Sequence, residues 1–285
     1  MTPGNLARRL TTTLALLLCG CSGVCPLGPS DGLSVGLADY VLTLGPVKVP
    51  EIRRNASGLT FNRENGLLYM VSNGPSAIVE MTTDGKARRV IRLRGFGDTE
   101  GIAHVRGTTY AVCAEGRSAV YLVELDEKTE VLQEAEATRI GLEVGPVDNN
   151  GLEGLALDPN AQRFWVVREK KPRGVYTLPV YDRVVEHAEL AQPWDAQRHP
   201  RAVTDLAGVY LHRATGHVLV LSQESGCVVE CTQRGRELSR LMLQAASAGL
   251  EQKIPHPEGL TMDEQGRLYI CSEPDLFYVF EKRRE

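Results

Sequence analysis

The 285 residues contain no Cys-x-x-Cys pair, no phosphate-cradling P-loop and no dinucleotide-binding glycine fingerprint. Structural zinc, nucleotide hydrolysis and dinucleotide binding are thereby set aside together. Positive charge is not in excess: 32 Lys and Arg stand against 36 Asp and Glu, a formal net charge of −4, so nucleic acid is not an expected partner. The basic tail Lys282, Arg283, Arg284 is too short to alter that. A nucleophile and base at a recognisable spacing are also missing. The one Gly-x-Ser-x-Gly match, Gly28 to Gly32, lies in a Gly, Pro and Ser-rich stretch with no strand before it and no helix after it, where a nucleophile elbow cannot form.

No apolar run approaches the ~20 residues of a membrane-spanning helix. Leu10 to Leu18 is a short apolar run preceded by Arg8 and Arg9, and Leu18-Cys19-Gly20-Cys21 resembles a lipobox. Residues 1–20 are therefore expected to be a lipoprotein signal peptide, with Cys21 the lipidated residue and residues 21–38 a flexible spacer. Several acyl tails on one cysteine would make a firm membrane anchor. Ser22, where a retention signal would have Asp, points to a lipoprotein of the bacterial outer membrane facing the periplasm. Cleavage removes two Arg and no acid, leaving 30 basic residues against 36 acidic. Cys25, Cys113, Cys227, Cys231 and Cys271 remain, an odd set read mainly as small buried apolar residues, with any pairing open.

What the chain has in place of motifs is a repeat. SGLTFN from Ser57, EGIAHV from Glu100, EGLALD from Glu153, AGVYLH from Ala207 and EGLTMD from Glu258 share one pattern, and their glycines are 43, 53, 54 and 51 residues apart. That period suits the four-stranded blade of a propeller, and a two-sheet sandwich needs no such repeat. Each copy is followed by apolar runs rich in Val, Ile, Leu and Tyr between turn residues, such as LLYMVS from Leu67 and CVVEC from Cys227. A fourth run is expected to close each of the first four blades. The fifth has none, because the chain ends soon after its third strand, so Tyr40 to Leu44 should complete it. The expectation is an all-β fold: a single five-bladed β-propeller over residues 39–285, closed by an N-terminal strand completing the last blade. Residues 181–205 carry no further copy of the pattern, which excludes a sixth blade.

In that fold the start of each first strand and the end of each second strand meet at one face. The residues before the repeat glycines are Ser57, Glu100, Glu153, Ala207 and Glu258, and the second strands end near Asn73, Glu115, Glu169, Glu224 and Glu273; seven of these ten are Glu. Asp98 and Asp205, each three residues before a repeat glycine, join the same rim. Crowded carboxylates raise one another's pKa, and a cation relieves them. An all-oxygen set favours a hard ion such as Ca²⁺. Glu100, Glu153, Glu258 and Asp205 are the candidate metal ligands, with Asn73, Glu115, Glu169, Glu224 and Glu273 a possible second ring. The outer acids could equally pair with Arg117, Arg168, Lys170 or Arg173. His104 and His256 fall on or beside first strands and are read as structural. Asp148-Asn-Asn-Gly is read as a turn, and Asn55-Ala-Ser as an unused glycosylation match.

The runs SGLTFN, VSNGPSAIVEM, GFGDTEGIAHV, NGLEGLALDP, LVLSQESG and PEGLTMDEQGRLYICSEPDLFYVF together resemble the SdiA-regulated, YjiK-like family of bacterial envelope proteins. The resemblance implies a five-bladed propeller, a calcium site in its channel and membrane association. It implies no defined activity, and Ala207 departs from the serine usual there. Two functions follow as expectations. One is a membrane-anchored binding or scaffolding module for a protein, glycan or small-molecule ligand. The alternative is a calcium-dependent hydrolase of lactones or phosphoesters, with His256 or an outer Glu as base. A receptor using the opposite face of the propeller is a third.

Overall fold

The computed structural model describes residues 33–144 and 151–283. The segment expected to be a signal peptide, Cys21, Cys25 and the turn at Asp148 lie outside the described residues. Within them there is no α-helix, and the strands form five antiparallel-cored sheets.

Strand β1 (Tyr40–Lys48) precedes the first blade, which is β2 (Ala56–Asn62), β3 (Leu67–Asn73), β4 (Ser76–Met81) and β5 (Ala87–Arg94). The second blade is β6 (Thr99–Arg106), β7 (Thr109–Ala114) and β8 (Ala119–Glu124), followed by β9 (Val131–Gln133) and β10 (Thr138–Gly141). The third is β11 (Leu152–Asp158), β12 (Arg163–Arg168) and β13 (Gly174–Pro179); the fourth is β14 (Gly208–His212), β15 (His217–Ser222), β16 (Cys227–Cys231) and β17 (Glu237–Met242). The fifth is β18 (Pro257–Met262), β19 (Leu268–Ser272) and β20 (Leu276–Lys282), completed by β1, which pairs with β20 from Tyr40 opposite Lys282 to Lys48 opposite Leu276. The closing strand thus runs past Leu44, and both ends of the fold are stitched into one sheet.

Side-chain alternation along each strand explains the stacking. In β7, Tyr110, Val112 and Ala114 pack towards the first blade, whereas Ala111 and Cys113 pack towards the third. Both faces of a blade are therefore buried, which is why β15 and β19 are buried throughout rather than alternating. The core is accordingly five clusters, one between each pair of neighbouring blades. Each fully buried Leu, Val or Phe there contributes about 1.5–3 kcal/mol. Cys113, Cys227, Cys231 and Cys271 are buried and unpaired in these clusters.

The repeat glycines bring the inner strands together around the axis. A Cβ at Gly58 would lie 2.6 Å from the Glu100 carbonyl oxygen, and one at Gly154 would lie 2.8 Å from the Val209 nitrogen. Any side chain at these two places would push adjacent blades apart.

Two expectations are corrected. The third blade has only three strands, because the chain after β13 carries Pro193 and Pro200, which cannot donate to a ladder. Instead Ala191 forms a single bridge to Thr177, and Trp194 packs on Trp165 with ring centroids 5.6 Å apart. The first blade gains a fifth strand, β9, which leaves the second blade to run parallel to β5. Residues 33–38, the end of the expected spacer, are among those described. Ser34, Val35 and Gly36 are bound to Glu230 of the fourth blade, and Leu37 is fully buried.

Candidate metal centre

The inner-strand starts and second-strand ends meet at one mouth: Thr99 pairs with Ala114, Leu152 with Arg168 and Pro257 with Ser272. Glu153 and Glu258 line the narrow channel entrance together with the five repeat glycines. Glu100 is 8% exposed, and burial together with the nearby charges of Asp98 and Glu115 pushes its carboxyl up to about 8, against opposing hydrogen bonds from Ser57 and Asn73. Burial, then Glu273, Glu100, Asp205 and Glu169, pushes Glu258 up to about 9. Glu153 is raised as well, by burial and by Glu100, Glu115, Glu258 and Glu169. The acids of both rings therefore act on one another, and those at the axis have too little compensating positive charge.

The tightest grouping is within the second blade. Ligand oxygens of Asp98, Glu100 and Glu115 lie within 4.8 Å of one another. Glu115 also accepts the Gly151 N–H at 2.6 Å, which fixes its carboxylate towards the next blade. From the first blade, Asn73 donates through Nδ2 to Glu100 at 2.5 Å, while its own Oδ1 is buried without a hydrogen-bond partner. An orphaned amide oxygen beside three carboxylates is the donor chemistry of a hard cation, and these residues fit calcium better than a soft metal.

The other candidates separate into different surroundings. Asp205 is fully buried, and its oxygens accept from the Ser222 hydroxyl and from the backbone N–H groups of Gln223 and Glu224. It caps the turn after β15 and reaches the axial acids through its charge. Lys170 Nζ lies 2.8 Å from Glu169 and 3.0 Å from Glu224, the pairing foreseen as the alternative for the outer acids. Glu224 is exposed, and its carboxyl is held below the usual range by Lys170 and Thr204. Arg117, Arg168 and Arg173 serve elsewhere: Arg117 beside Glu134 at 3.8 Å, Arg168 on the Val144 carbonyl at 2.8 Å and Arg173 on the Gln197 carbonyl at 3.0 Å. His256 stands on the acidic rim with its ring 2.7 Å from the Gln223 amide, and Glu273 donates its N–H to the His256 carbonyl. His104 lines the opposite mouth. The residue that the repeat pattern placed only on the rim is Asp98. Its position three residues before Gly101 matched that of Asp205, and the neighbouring Ala114 offers no hydroxyl to hold it as Ser222 holds Asp205.

Residues 33–281 match the SdiA-regulated family. Among solved structures, a calcium-binding protein, regucalcin, from Agrobacterium tumefaciens superposes with a TM-score of 0.52 at 13% identity, over 87% of this chain and 96% of that one. A luciferin-regenerating enzyme superposes with a TM-score of 0.50 at 12% identity, over 82% of this chain and 95% of that one. At these identities the likeness is one of fold.

Proposed function

This chain belongs to the SdiA-regulated family, and from that premise we propose that it is a calcium-binding propeller tethered to a membrane of the cell envelope, acting as a binding or scaffolding module. The observation that carries the reading is the Asp98, Glu100 and Glu115 cluster completed by the orphaned Asn73 oxygen. Asp98, Glu100, Glu115 and Asn73 would hold the ion, and Glu153 and Glu258 would turn their charge towards it from the axis. The ion would supply positive charge where carboxylates from several blades converge, tying the blades in register and leaving a Lewis-acidic centre open to an oxygen-bearing ligand. Regucalcin is a precedent for calcium on a related fold and not for these particular ligands.

The tether would be the lipid on Cys21, placing the propeller at the periplasmic face of the outer membrane. The segment from Ser34 to Gly36, bound to Glu230, would then be the point where the tether enters the fold. Labelling with a radioactive fatty acid should mark wild type and leave Cys21→Ala unmarked and released from membranes. Retention of the variant in the membrane fraction would count against the anchor.

The metal reading is tested by thermal unfolding of chelator-stripped protein with added Ca²⁺, Mg²⁺ or Zn²⁺. Calcium should raise Tm selectively, by the equivalent of about 2.7 kcal/mol at a hundredfold excess over Kd, and a Glu100→Gln, Glu153→Gln variant should lose the effect. An equal Tm with and without calcium would sink the reading. Calcium-dependent turnover of a lactone or phosphoester, abolished by Glu153→Gln, would instead make the same site that of a hydrolase.

A further inference from the structure

The far end of the channel has the opposite character. The aliphatic residues that follow the repeat glycines, Leu59, Ile102, Leu155, Val209 and Leu260, floor both mouths and separate them. Beyond this floor the inner strands and their turns enclose a funnel with a cavity volume of about 150 Å³. That is below the roughly 300–1,000 Å³ of drug-sized sites and leaves room for a few-carbon ligand, on the same plan of apolar walls with a few convergent polar groups.

The polar groups here include two guanidiniums, alongside Glu64, Thr60, Thr261 and Tyr210. Arg63, from the turn after β2, and Arg213, from the turn after β14, stand on the rim, with His104 in the wall between blades. Arg63 is half-buried and lies 3.0 Å from Glu264, itself 56% exposed, so that pair is open to competition. Arg213 makes no hydrogen bond or ion pair among the described residues. Burial, and then the charge of Arg63, depresses the Arg213 pKa, so the two guanidiniums repel each other across the funnel. Three of the acids nearby have other partners, while the charge of Glu264 acts on Arg213 as well as on Arg63. Glu64 accepts the Gly107 N–H at 2.9 Å, Asp158 holds the turn at Asn160 and Ala161 and pairs with Arg163, and Asp263 holds Gln265 and Arg267.

We propose that this funnel is a second binding site, for a small organic anion whose carboxylate or phosphate head engages Arg63 and Arg213 while a compact apolar body rests on the aliphatic floor. Two guanidiniums form the planar, multiply donating clamp that such heads require. The site does not depend on the metal, since the floor stands between them.

The test is calorimetric titration of the full-length, calcium-saturated protein in nonionic detergent with butyrate, hexanoate, butyl phosphate, inorganic phosphate and butylammonium. Expected is binding of the organic anions, tighter for hexanoate than for butyrate, with none for butylammonium. Arg213→Gln, which breaks no hydrogen bond or ion pair among the described residues, should weaken it at least about tenfold, the scale of one charge-assisted hydrogen bond. The Arg63→Gln, Arg213→Gln pair should abolish it, while both variants keep the wild-type response of Tm to calcium. A carboxylate preference points to organic acids, and a butyl phosphate preference to phosphate esters; either supports the site. Unchanged affinity in Arg213→Gln, inorganic phosphate binding as tightly as butyl phosphate, or no anion binding would overturn it.

Discussion

Glu100 and Glu230 are both carboxylates withdrawn from water inside one propeller, 8% and 0% exposed, yet their charges are handled in opposite ways. Glu230 receives the Ser34 hydroxyl at 2.6 Å, the Val35 N–H at 2.7 Å, the Ser239 hydroxyl at 2.5 Å and His217 Nδ1 at 2.7 Å. Those donors outweigh burial and hold its carboxyl below the usual range. Glu100 has the Asn73 amide at hydrogen-bond distance, two further acids in its cluster, and a carboxyl driven up to about 8. In the first arrangement the protein supplies the donors to the acid, though His217 Nε2 is itself buried without a partner, and the acid serves to bind the N-terminal segment to the fourth blade. The second is completed only by something from outside. Burial alone does not mark a functional acid; burial with too few donors does.

The largest test of this contrast is Glu230→Ala, which strands several donors in the interior and should cost about 3–5 kcal/mol in urea unfolding. A loss below ~1 kcal/mol would remove the contrast. In chelated protein, Glu153→Gln with Glu258→Gln should act with the opposite sign, raising stability by about 1–3 kcal/mol at pH 8, because the wild-type acids must take up protons to fold at that pH and the neutral isosteres need not. Destabilisation there would mean that these acids are satisfied by partners, as Glu230 is.

Stability against pH sharpens the comparison. Folded Glu100 and Glu258 hold their protons up to about 8 and about 9, against 4.5 for a free glutamate. The unfolded chain therefore releases those protons first as pH rises. Chelated protein should lose stability from about pH 4.5 towards 9, by at most about 1.4 kcal/mol per group per pH unit. Glu230 works the other way, its contribution present above 4.5 and lost as pH falls through its lowered folded value. Urea melts in chelator should therefore place the optimum near pH 5, and calcium should flatten the alkaline decline. A chelated protein more stable at pH 8 than at pH 5 would contradict the account.

The smallest effect is expected at the rim. Lys170→Gln breaks a partly buried pair with Glu169 and a more exposed one with Glu224 and should change stability by less than about 1 kcal/mol. It also leaves Glu169 uncompensated, so calcium affinity should rise by roughly two- to fivefold at low salt and by less at high salt. A weaker affinity would mean that Lys170 positions the ligands rather than screening them.

Much of the fold was legible because the propeller repeats locally. The glycines at the axis and the apolar runs after them are set by contacts that every blade must make, so they recur in the sequence. Strand β9 and the missing fourth strand of the third blade were not legible, since each depends on a pairing partner or a packing surface remote in the chain. The mouth was legible as an acidic ring for the same reason as the blades. Its division was not. Asp98 and Asp205 occupy equivalent places, and what separates them is whether Ala114 or Ser222 stands at the end of the following strand. The Asn73 oxygen gave no signal of its own beyond its place in the second ring. Nothing in the repeat distinguished the cationic funnel, because Arg63 and Arg213 lie in turns, outside the positions that the blades hold in common.

The most direct measurement is a crystal structure grown with calcium, using anomalous scattering to locate the ion. A peak about 2.3–2.6 Å from oxygens of Asp98, Glu100 and Glu115 and from Asn73 Oδ1 is the predicted result. A calcium ion held without Glu100 and Asn73, or no peak at the mouth with calcium in millimolar excess, would contradict the claim that these half-compensated acids are a metal site.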